Sequence, residues 1–404
     1  MEEYKVLTEC LCCSSGTLVP ILDLGEQPLA NSYHKGERLP SYTLALNVCG
    51  NCFHAQQAVA VRPDLMFKEY AYVSGTSQTL REYFDWFAKE VGERYGAPTS
   101  DSPKKVLDIA CNDGTQLASF MKEGWQAFGV DPAENLIECS RATGATVVCD
   151  YWNKKSVALF GTKFDILVAQ NVFAHVADPF GFLLACKEVM EPHSKLLIQT
   201  SQAEMIARGE FDTIYHEHIS FFSANSMQTL AHRAGLILED IFITPVHGGS
   251  YVFVLGFDAS GEKAHARLEY ERLEGRYDLA FFNKFAEVAK KSMGELRDKV
   301  ADYATEGRAV VGFGAAAKGN TMLNFAQLPL EYIVDENPLK QGRYTPGMNI
   351  LIVPLGRLRD EKRPLAIIVL AWNFLDEIYK KVKDVRPEAK DVFVTYFPSV
   401  TLRR

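Results

Sequence analysis

The chain has 404 residues, of which 47% are hydrophobic and 23% are charged, and its formal net charge is −8. This composition is typical of a globular protein, and the length allows two or three domains, each with its own core. The acidic balance predicts no basic face for nucleic acid or an anionic membrane, and no apolar run is long enough to cross a bilayer. We therefore expect neither nucleic acid nor a membrane as partner.

Cysteines are concentrated at the start of the chain, where five of the nine lie within the first 52 residues. An odd and uneven count does not suit a secreted disulfide framework, and it favours metal binding in a reducing compartment. The N-terminal sequence MEEYKVLTEC also lacks the apolar centre of a signal peptide. These features predict a cytoplasmic protein, which we expect to be a monomer.

Two C-x-x-C pairs, Cys10/Cys13 and Cys49/Cys52, predict a tetrahedral zinc site in residues 1–66. Each short turn directs two thiolates at one ion, at Zn–S distances of about 2.3 Å. Four thiolates leave no open coordination position, so we expect the zinc to be structural. Core cysteines that are paired by coincidence are the alternative. A redox role is disfavoured because both pairs precede the region of alternating strands and helices.

Residues from about 100 to 257 alternate short apolar runs with helical stretches. This rhythm predicts a parallel sheet with helices on both faces, and we take residues 67–257 as a Rossmann-like central domain. The runs expected to form strands are VLDIA (106–110), AFGVD (127–131), ATVVCD (145–150), FDILVAQ (164–170), KLLIQT (195–200) and SYVFVLGF (250–257).

The turn after the first of these strands, D-I-A-C-N-D-G, indicates the cofactor. It lacks the G-x-G-x-x-G of dinucleotide sites and places Asp113 where a pyrophosphate would lie. S-adenosylmethionine has no phosphate and carries a sulfonium and an ammonium group, so an acidic turn suits it. NAD and a purely structural turn are the alternatives. Asp131 ends the next strand, where an acid commonly holds a ribose diol. The residues predicted to bind the cofactor are Asp108, Asn112, Asp113, Gly114, Asp131, Asp150 and Asn171.

A titratable cluster interrupts the apolar segment FDTIYHEHISFF (211–222), in which Tyr215, His216, Glu217 and His218 are consecutive. The metalloprotease pattern needs two histidines four apart on a helix, so a metal site is disfavoured. Histidine titrates near neutrality and is tuned by its neighbours, which favours a proton-transfer site. An ordinary polar turn is the alternative, and we assign no role to His216.

The C-terminal part, residues 258–404, begins with a charged stretch and continues with a second strand–helix rhythm. Apolar residues recur every three or four positions over 261–308, which predicts an amphipathic helical connector. The rhythm after it predicts a second Rossmann-like domain. Its strands are expected at AVVGFG (309–314), EYIVDE (331–336), ILIVPL (350–355), LAIIVLAW (365–372) and DVFVTYF (391–397).

The first turn of this second domain is rich in glycine. Gly312 and Gly314 permit close approach of backbone to a phosphate, Lys318 adds positive charge, and Asp335 ends the next strand, where it can meet a ribose. Ala317 stands where NAD sites have their third glycine. We therefore interpret this turn as a site for the nucleoside diphosphate of a substrate, with NAD and plain packing as alternatives.

These segments together resemble the sugar C-3′-methyltransferases of deoxysugar biosynthesis. The resemblance covers nearly the whole chain and rests on motifs in the same order: the two C-x-x-C pairs, EYAYVSGTS (69–77), LDIACNDG (107–114), YHEHISFFSANS (215–226), HGGS (247–250), GFGAAAKGNTMLNF (312–325), DENPLKQGRYTPG (335–347) and AWN (371–373). It implies a zinc domain, an S-adenosylmethionine domain and a C-terminal domain that helps to hold a nucleotide-linked 4-keto deoxysugar. Ala110 departs from the family, which commonly has glycine there, and we expect only a local adjustment.

The resemblance also implies roles for single residues. His218 matches the base that takes the C3 proton to form an enolate, Tyr215 and Glu217 match its partners, and His175 matches a histidine near the sugar. Tyr72 is implied to reach the active site. Substrate contacts are implied for Tyr70, His247, Gly312, Gly314, Lys318, Asn320, Asp335, Trp372 and Asn373. The alternatives are an NAD-dependent sugar-nucleotide oxidoreductase, methylation at C5, and a zinc-bearing binding protein without activity.

Overall fold

The chain forms three consecutive regions, each built on its own sheet. A computed structural model describes residues 3–68, 73–200, 202–244 and 249–403. Three of the predicted site residues lie outside the described ones: Tyr70, Tyr72 and His247. Among the described helices, none is long and apolar enough to span a membrane.

The N-terminal region is antiparallel. Its elements are β1 (Tyr4–Val6), β2 (Leu18–Gln27), β3 (Tyr42–Cys49), β4 (Ala55–Gln57), β5 (Val59–Val61) and the short α1 (Asp64–Phe67). β3 lies between β2 and β4, and β1 pairs separately with β5. Buried and half-buried residues alternate along β3, because one face of the sheet covers the core.

The central region is a mostly parallel sheet, as its strand–helix rhythm predicts. Its strands are β6 (Lys105–Ile109), β7 (Gln126–Val130), β8 (Thr146–Val148), β9 (Phe164–Gln170), β10 (Met190–Thr200), β12 (Ile237–Thr244) and β13 (Ser250–Gly256). The two-residue β11 (Ser220–Phe221) lies in this part of the chain but belongs to the N-terminal sheet. In the described residues the sheet order is β12-β13-β10-β9-β6-β7-β8. β13 runs antiparallel to both β10 and β12, so the sheet is mixed at this edge. β12 is an addition to the predicted strands.

Helices cover this sheet, and those that begin at residues 78, 154, 179 and 224 have a side-chain cap. The helices are α2 (Gln78–Tyr95), α3 (Thr115–Lys122), α4 (Ile137–Arg141), α5 (Lys154–Val157), α6 (Pro179–Glu188), α7 (Gln202–Arg208) and α8 (Ala224–Ala234). Ser223 and Ser226 form a capping box at the start of α8, and Gly235 ends that helix in the left-handed conformation.

The C-terminal region begins with two helices, α9 (Glu262–Leu273) and α10 (Leu279–Thr305), which occupy the stretch where an amphipathic helical connector was predicted. Its other elements are β14 (Ala309–Phe313), α11 (Ala317–Ala326), β15 (Ile333–Val334), β16 (Ile352–Val353), α12 (Arg357–Asp360), β17 (Leu365–Val369), α13 (Leu375–Val385), β18 (Val392–Thr395) and β19 (Thr401–Arg403). The sheet order is β16-β15-β14-β17-β18-β19 among described strands, and β19 is antiparallel to β18.

One short strand connects the N-terminal and central regions. β11 pairs with β4, so that Ser220 lies opposite Gln56 and Phe221 opposite Ala55. A single apolar cluster also joins β2 and β3 to Phe211, to α10 and to the C-terminal sheet. The segment 211–222 therefore lies where all three regions meet.

Candidate active site

His218 is the residue around which the site is arranged. Its Nδ1 lies 2.8 Å from the Thr213 carbonyl oxygen, and its Nε2 lies 3.0 Å from the Tyr215 hydroxyl. A carbonyl oxygen only accepts, so Nδ1 carries the proton and donates it, and Nε2 accepts from Tyr215. The geometry thus selects the neutral tautomer in which Nε2 is the basic atom.

His175 lies beside this base. Its ring centroid is 5.2 Å from that of His218, and it stacks on Phe67 at 5.5 Å. Burial, with a smaller effect of His218, lowers the pKa of His175 to about 3. His175 is therefore a neutral imidazole at physiological pH, able to donate one hydrogen bond.

The two other residues of the cluster point elsewhere. His216 is buried, with Nε2 3.2 Å from the Tyr42 carbonyl oxygen and its ring edge-on to the Tyr42 ring. Glu217 accepts a 2.6 Å hydrogen bond from the side-chain amide of Asn31. Burial raises the pKa of Glu217. His216 thus attaches the segment to β3, while Asn31, which sequence reasoning missed, links Glu217 to the N-terminal region.

The strand β4 holds the backbone of the same segment. Gln57 is fully buried, and its amide nitrogen donates to the carbonyl oxygens of Tyr215 and His218 at 2.6 and 2.8 Å. His54, just before β4, lies 3.2 Å from the Ser220 hydroxyl through its Nε2. Sequence reasoning missed Gln57, whose one local signal is an amide side chain in a short, buried strand.

The four predicted zinc ligands, Cys10, Cys13, Cys49 and Cys52, lie together, with all their Sγ atoms within 4.8 Å of one another. The pairs Cys10–Cys52 and Cys13–Cys49 are each 3.5 Å apart, close to the roughly 3.8 Å between sulfurs of a tetrahedral Zn–S₄ site. The backbone N–H of Asn51 donates to Cys49 Sγ at 3.4 Å. This donor set fits a structural zinc, and the second pair forms the turn between β3 and β4.

The predicted cofactor turn is held by backbone hydrogen bonds. Both oxygens of Asp131 accept, from the N–H groups of Asn112 and Ala133 at 2.8 Å each. Ala110 has a φ of 66°, in the left-handed region that glycine enters without strain. Alanine rarely adopts this conformation, and the local adjustment expected at that position stays a prediction. Gly114, which precedes α3, also has a positive φ, 80°.

The short segment 74–76 closes on this turn. The N–H of Gly75 donates to Asp113 at 2.9 Å, and the N–H of Ser74 donates to the Asn112 side chain at 2.9 Å. A Cβ on Gly75 would lie 2.4 Å from Asp113 Oδ2, so a larger residue there would displace the Asp113 side chain. Asp113 therefore contacts protein groups, a role that its sequence position did not predict.

The remaining cofactor candidates lie at the same edge of the sheet. Asp150 follows β8 and accepts from the N–H of Tyr151, and Asn171 follows β9 and is exposed, with a φ of 55°. Asp108 lies inside β6 and is buried. Burial, and then the charge of Asp131, raises the pKa of Asp108 to about 8. The carboxyl ends of parallel strands bring these residues together.

Packing accounts for the glycines of the second turn. A Cβ on Gly312 would meet Ile333, and a Cβ on Gly314 would meet Ala371, each at 2.8 Å. Asp335 accepts from the backbone N–H groups of Ala315 and Asn337 at 2.7 and 2.8 Å. The acid that a dinucleotide site uses for ribose is thus already bound by backbone.

Tyr33 and Ala30 of the N-terminal region contact this turn and the helix after it, and Lys340 contacts the turn from within the C-terminal region. The Tyr33 hydroxyl and Lys340 both donate to the Ala315 carbonyl oxygen, at 2.5 and 2.6 Å. Asn320 donates to the Ala30 carbonyl oxygen at 2.8 Å. Tyr33 was not predicted, because its partner lies far along the chain.

Three predicted substrate residues contact one another. Lys318 donates to the Asn373 side chain at 2.7 Å, and its Nζ lies 3.8 Å from the centre of the Trp372 ring. The indole N–H of Trp372 donates to Asp212 at 2.9 Å. Sequence reasoning did not single out Asp212.

Three family models match consecutive parts of the chain. A zinc binding domain matches residues 10–67, a methyltransferase domain residues 79–240 and a C-methyltransferase C-terminal domain residues 245–398. The C-methyltransferase NovU of Streptomyces niveus is 26% identical over 397 residues, which cover 94% of this chain and 93% of NovU. The three matched domains together show a C-methyltransferase with an N-terminal zinc-binding domain, and the chain is similar to NovU over nearly its whole length.

Three other methyltransferases are each similar to less than half of the length of this C-methyltransferase. A ubiquinone biosynthesis O-methyltransferase of Dinoroseobacter shibae is 27% identical over 171 residues, which are 38% of this chain and 69% of that protein. Of the solved structures, magnesium protoporphyrin IX methyltransferase (ChlM) of Synechocystis with bound SAM has 11% identity and a TM-score of 0.33, covering 43% of this chain and 78% of its own. The plantazolicin methyltransferase BpumL has 13% identity and a TM-score of 0.36, covering 45% and 86%.

The domain matches and the cysteine cluster confirm several predictions for this C-methyltransferase. The α/β fold class, the structural zinc and S-adenosylmethionine as cofactor are those that the sequence predicted. The sugar, the carbon methylated, the base and the other assigned site residues stay predictions.

Proposed function

We propose that this C-methyltransferase methylates C3 of a nucleotide-linked 4-keto deoxysugar, with His218 as the base. The proposal is carried by one observation, the hydrogen bond between Nδ1 of His218 and the Thr213 carbonyl oxygen. That bond makes Nε2 the proton acceptor. Similarity to the C-methyltransferase NovU over nearly the whole chain supports carbon as the atom that accepts the methyl group.

Carbon becomes a nucleophile only when a proton leaves it. A 4-keto group acidifies the C3 proton, because the enolate that forms carries its charge on oxygen. Nε2 of His218 takes this proton, and a donor is needed where the negative oxygen develops. The neutral His175 suits that donor role, because it can give one N–H without competing for the proton. When bound, S-adenosylmethionine would supply the methyl group from its sulfonium: the S–CH₃ bond would break as the enolate carbon forms the C–C bond, and S-adenosylhomocysteine would leave.

Tyr215 decides how the proton reaches the base. Its hydroxyl lies on Nε2 at 3.0 Å, so a direct transfer requires that the hydroxyl turns away. In a relay, the hydroxyl gives its own proton to Nε2 and takes the one from C3. Tyr215→Phe separates the two, because the direct route survives the change and the relay does not.

The nucleoside diphosphate part is assigned to the second glycine-rich turn. Lys318 and Lys340 supply positive charge beside it, and burial lowers the pKa of both. Trp372, Asn373 and Asn320 border the same region. We also propose domain boundaries after residues 66 and 257. The zinc-binding match to residues 10–67 supports the first, and the pairing of β13 (Ser250–Gly256) with β10 and β12 supports the second, although the C-terminal family match begins at residue 245.

The test is methyl transfer to thymidine, guanosine and cytidine diphosphate 4-keto deoxysugars. We expect a product one methyl group heavier, with the new group placed on C3 by NMR, and deuterium exchange at C3 in D₂O without cofactor. His218→Asn should abolish both exchange and transfer while S-adenosylmethionine affinity, measured by calorimetry, stays within about twofold. Transfer by His218→Asn at the wild-type rate would show that the base is wrong, and a methyl group on C5 would show that the position is wrong.

A further inference from the structure

Asp212 is a buried carboxylate to which the proposed mechanism gives no part. It is 1% exposed and lies in the short helical turn Phe211–Thr213, directly before Thr213. The Trp372 indole and the Tyr396 hydroxyl donate to its Oδ2 at 2.9 and 2.8 Å. Both donors come from the C-terminal region, at separations of 160 and 184 residues.

The surroundings of Asp212 hold it in one place. Lys318 lies over the Trp372 ring and is the charge that attracts Asp212 most. Asp212 Oδ1 has no hydrogen-bond partner among the described residues. Burial raises the pKa of Asp212. A carboxylate held in this way adds little net stability, because its desolvation offsets its hydrogen bonds. The role of Asp212 is therefore more readily explained by the position in which it holds the turn than by added stability.

Thr213 connects this carboxylate to the base. Its carbonyl oxygen, one peptide unit beyond Asp212, is the acceptor for Nδ1–H of His218. The Thr213 hydroxyl and N–H both donate to the Glu210 carbonyl oxygen, at 2.7 and 3.2 Å. The turn is thus held locally on one side and by Asp212 on the other. The hydrogen bonds of the two ring nitrogens determine which of them carries the proton in a neutral histidine.

We propose that Asp212 is a positioning residue for His218. Trp372 and Tyr396 hold its carboxylate, the carboxylate holds the turn 211–213, and the turn aims the Thr213 carbonyl at Nδ1. The consequence is that the C-terminal region sets the tautomer of a histidine outside it. The catalytic meaning rests on the proposed function, whereas the tautomer is a property of the folded protein without substrate.

The experiment measures that tautomer directly. Histidine is labelled with ¹⁵N in the full chain with zinc, and the His218 signals are assigned by their loss in His218→Asn. We expect the wild type to have Nδ1 protonated and Nε2 unprotonated. Asp212→Ala should move His218 to a mixture, with the Nδ1–H form reduced at least twofold. Asp212→Asn should retain the wild-type pattern, because the amide oxygen still accepts from Trp372 and Tyr396.

Two further variants keep the test decisive if Asp212→Ala does not fold. Trp372→Phe combined with Tyr396→Phe removes both donors and leaves Asp212 in place, and the same loss of the Nδ1–H form is expected. Asp391→Asn is the control, since this carboxylate is also buried in the C-terminal region but binds Arg386 at 2.8 Å. It should change thermal stability and leave His218 unchanged.

An unchanged His218 tautomer in a folded Asp212→Ala protein, or in the double variant, would overturn the proposal. Asp212 would then only join the regions. This outcome is separate from the test of the base, because full activity of His218→Asn would refute the base without altering the tautomer result.

Discussion

At the scale of single residues, four consecutive side chains take part in three different sets of contacts. Tyr215 and His218 contact each other, His216 bonds to β3, and Glu217 bonds to Asn31. A tight turn makes this possible, since the N–H of His218 donates to the Tyr215 carbonyl oxygen at 2.8 Å. Neighbours in sequence therefore face different regions of the protein.

Asp108 offers a prediction on pH at this scale. Its pKa of about 8 lies above the value of about 3.9 in an unfolded chain. Between these values the folded protein keeps a proton that the unfolded chain has lost, so this group lowers stability as pH rises, by up to about 1.4 kcal/mol per pH unit. Asp108→Asn cannot ionise. The difference in free energy of unfolding, Asp108→Asn minus wild type, should therefore increase between about pH 5 and pH 8.

Urea unfolding of the cofactor-free protein at several pH values measures this difference. A difference that stays constant over that range would contradict a raised pKa at Asp108. The cofactor is left out because Asp108 is also a proposed cofactor residue.

At the scale of elements, the short strand β4 links the zinc cysteines to the segment that carries the proposed base. It starts three residues after Cys52 and pairs with β11. It carries Gln57, which donates to two carbonyl oxygens of residues 211–222, the segment that contains the proposed base and is called the base segment below. Side chains alternate across a strand, so the adjacent Gln56 faces the other way. Gln56 binds the backbone of Glu9 and Leu11 next to the first cysteine pair.

The two glutamines form a matched pair for mutation. Gln57→Met keeps the volume but removes the donor to Tyr215 and His218, so we expect at least a tenfold fall in kcat at little change in S-adenosylmethionine affinity. Gln56→Met should cost a similar amount of stability, roughly 1–3 kcal/mol, because each change leaves buried backbone groups unpaired. It should leave kcat within about twofold.

Steady-state kinetics and thermal unfolding of both variants provide the comparison. Equal losses of kcat in the two would show that β4 acts through stability alone.

At the scale of the whole molecule, the zinc turn and the base segment belong to one sheet. Cys49 ends β3 and Cys52 precedes β4, and β4 pairs with β11 of the base segment. On the other side, Asp212 joins the segment to the C-terminal region. The central region thus provides the predicted cofactor turn, while residues of both flanking regions contact the segment that carries the proposed base.

Loss of zinc should therefore act on chemistry as well as on stability. Cys49→Ser removes a ligand and no catalytic group, and we expect lower zinc content, a lower melting temperature and loss of methyl transfer. Binding of S-adenosylmethionine should persist below the melting temperature, since the cofactor turn follows β6 in another region.

Metal analysis, calorimetry and activity on one preparation give the three readouts. Cys139→Ser is the control, because Cys139 is exposed and outside the zinc cluster. A zinc-free Cys49→Ser protein with wild-type stability and activity would refute the structural role.

The sequence by itself determined what depends on local pattern. Two C-x-x-C pairs, an acidic turn after a strand and alternating strand–helix periods are short-range signals, so the zinc ligands, the cofactor class and most strands were predictable. Only the tertiary structure revealed Gln57, Asn31 and Asp212, whose partners lie 158 or more residues away. A buried polar side chain acquires its role from the partner that folding brings to it, and no local pattern specifies that partner.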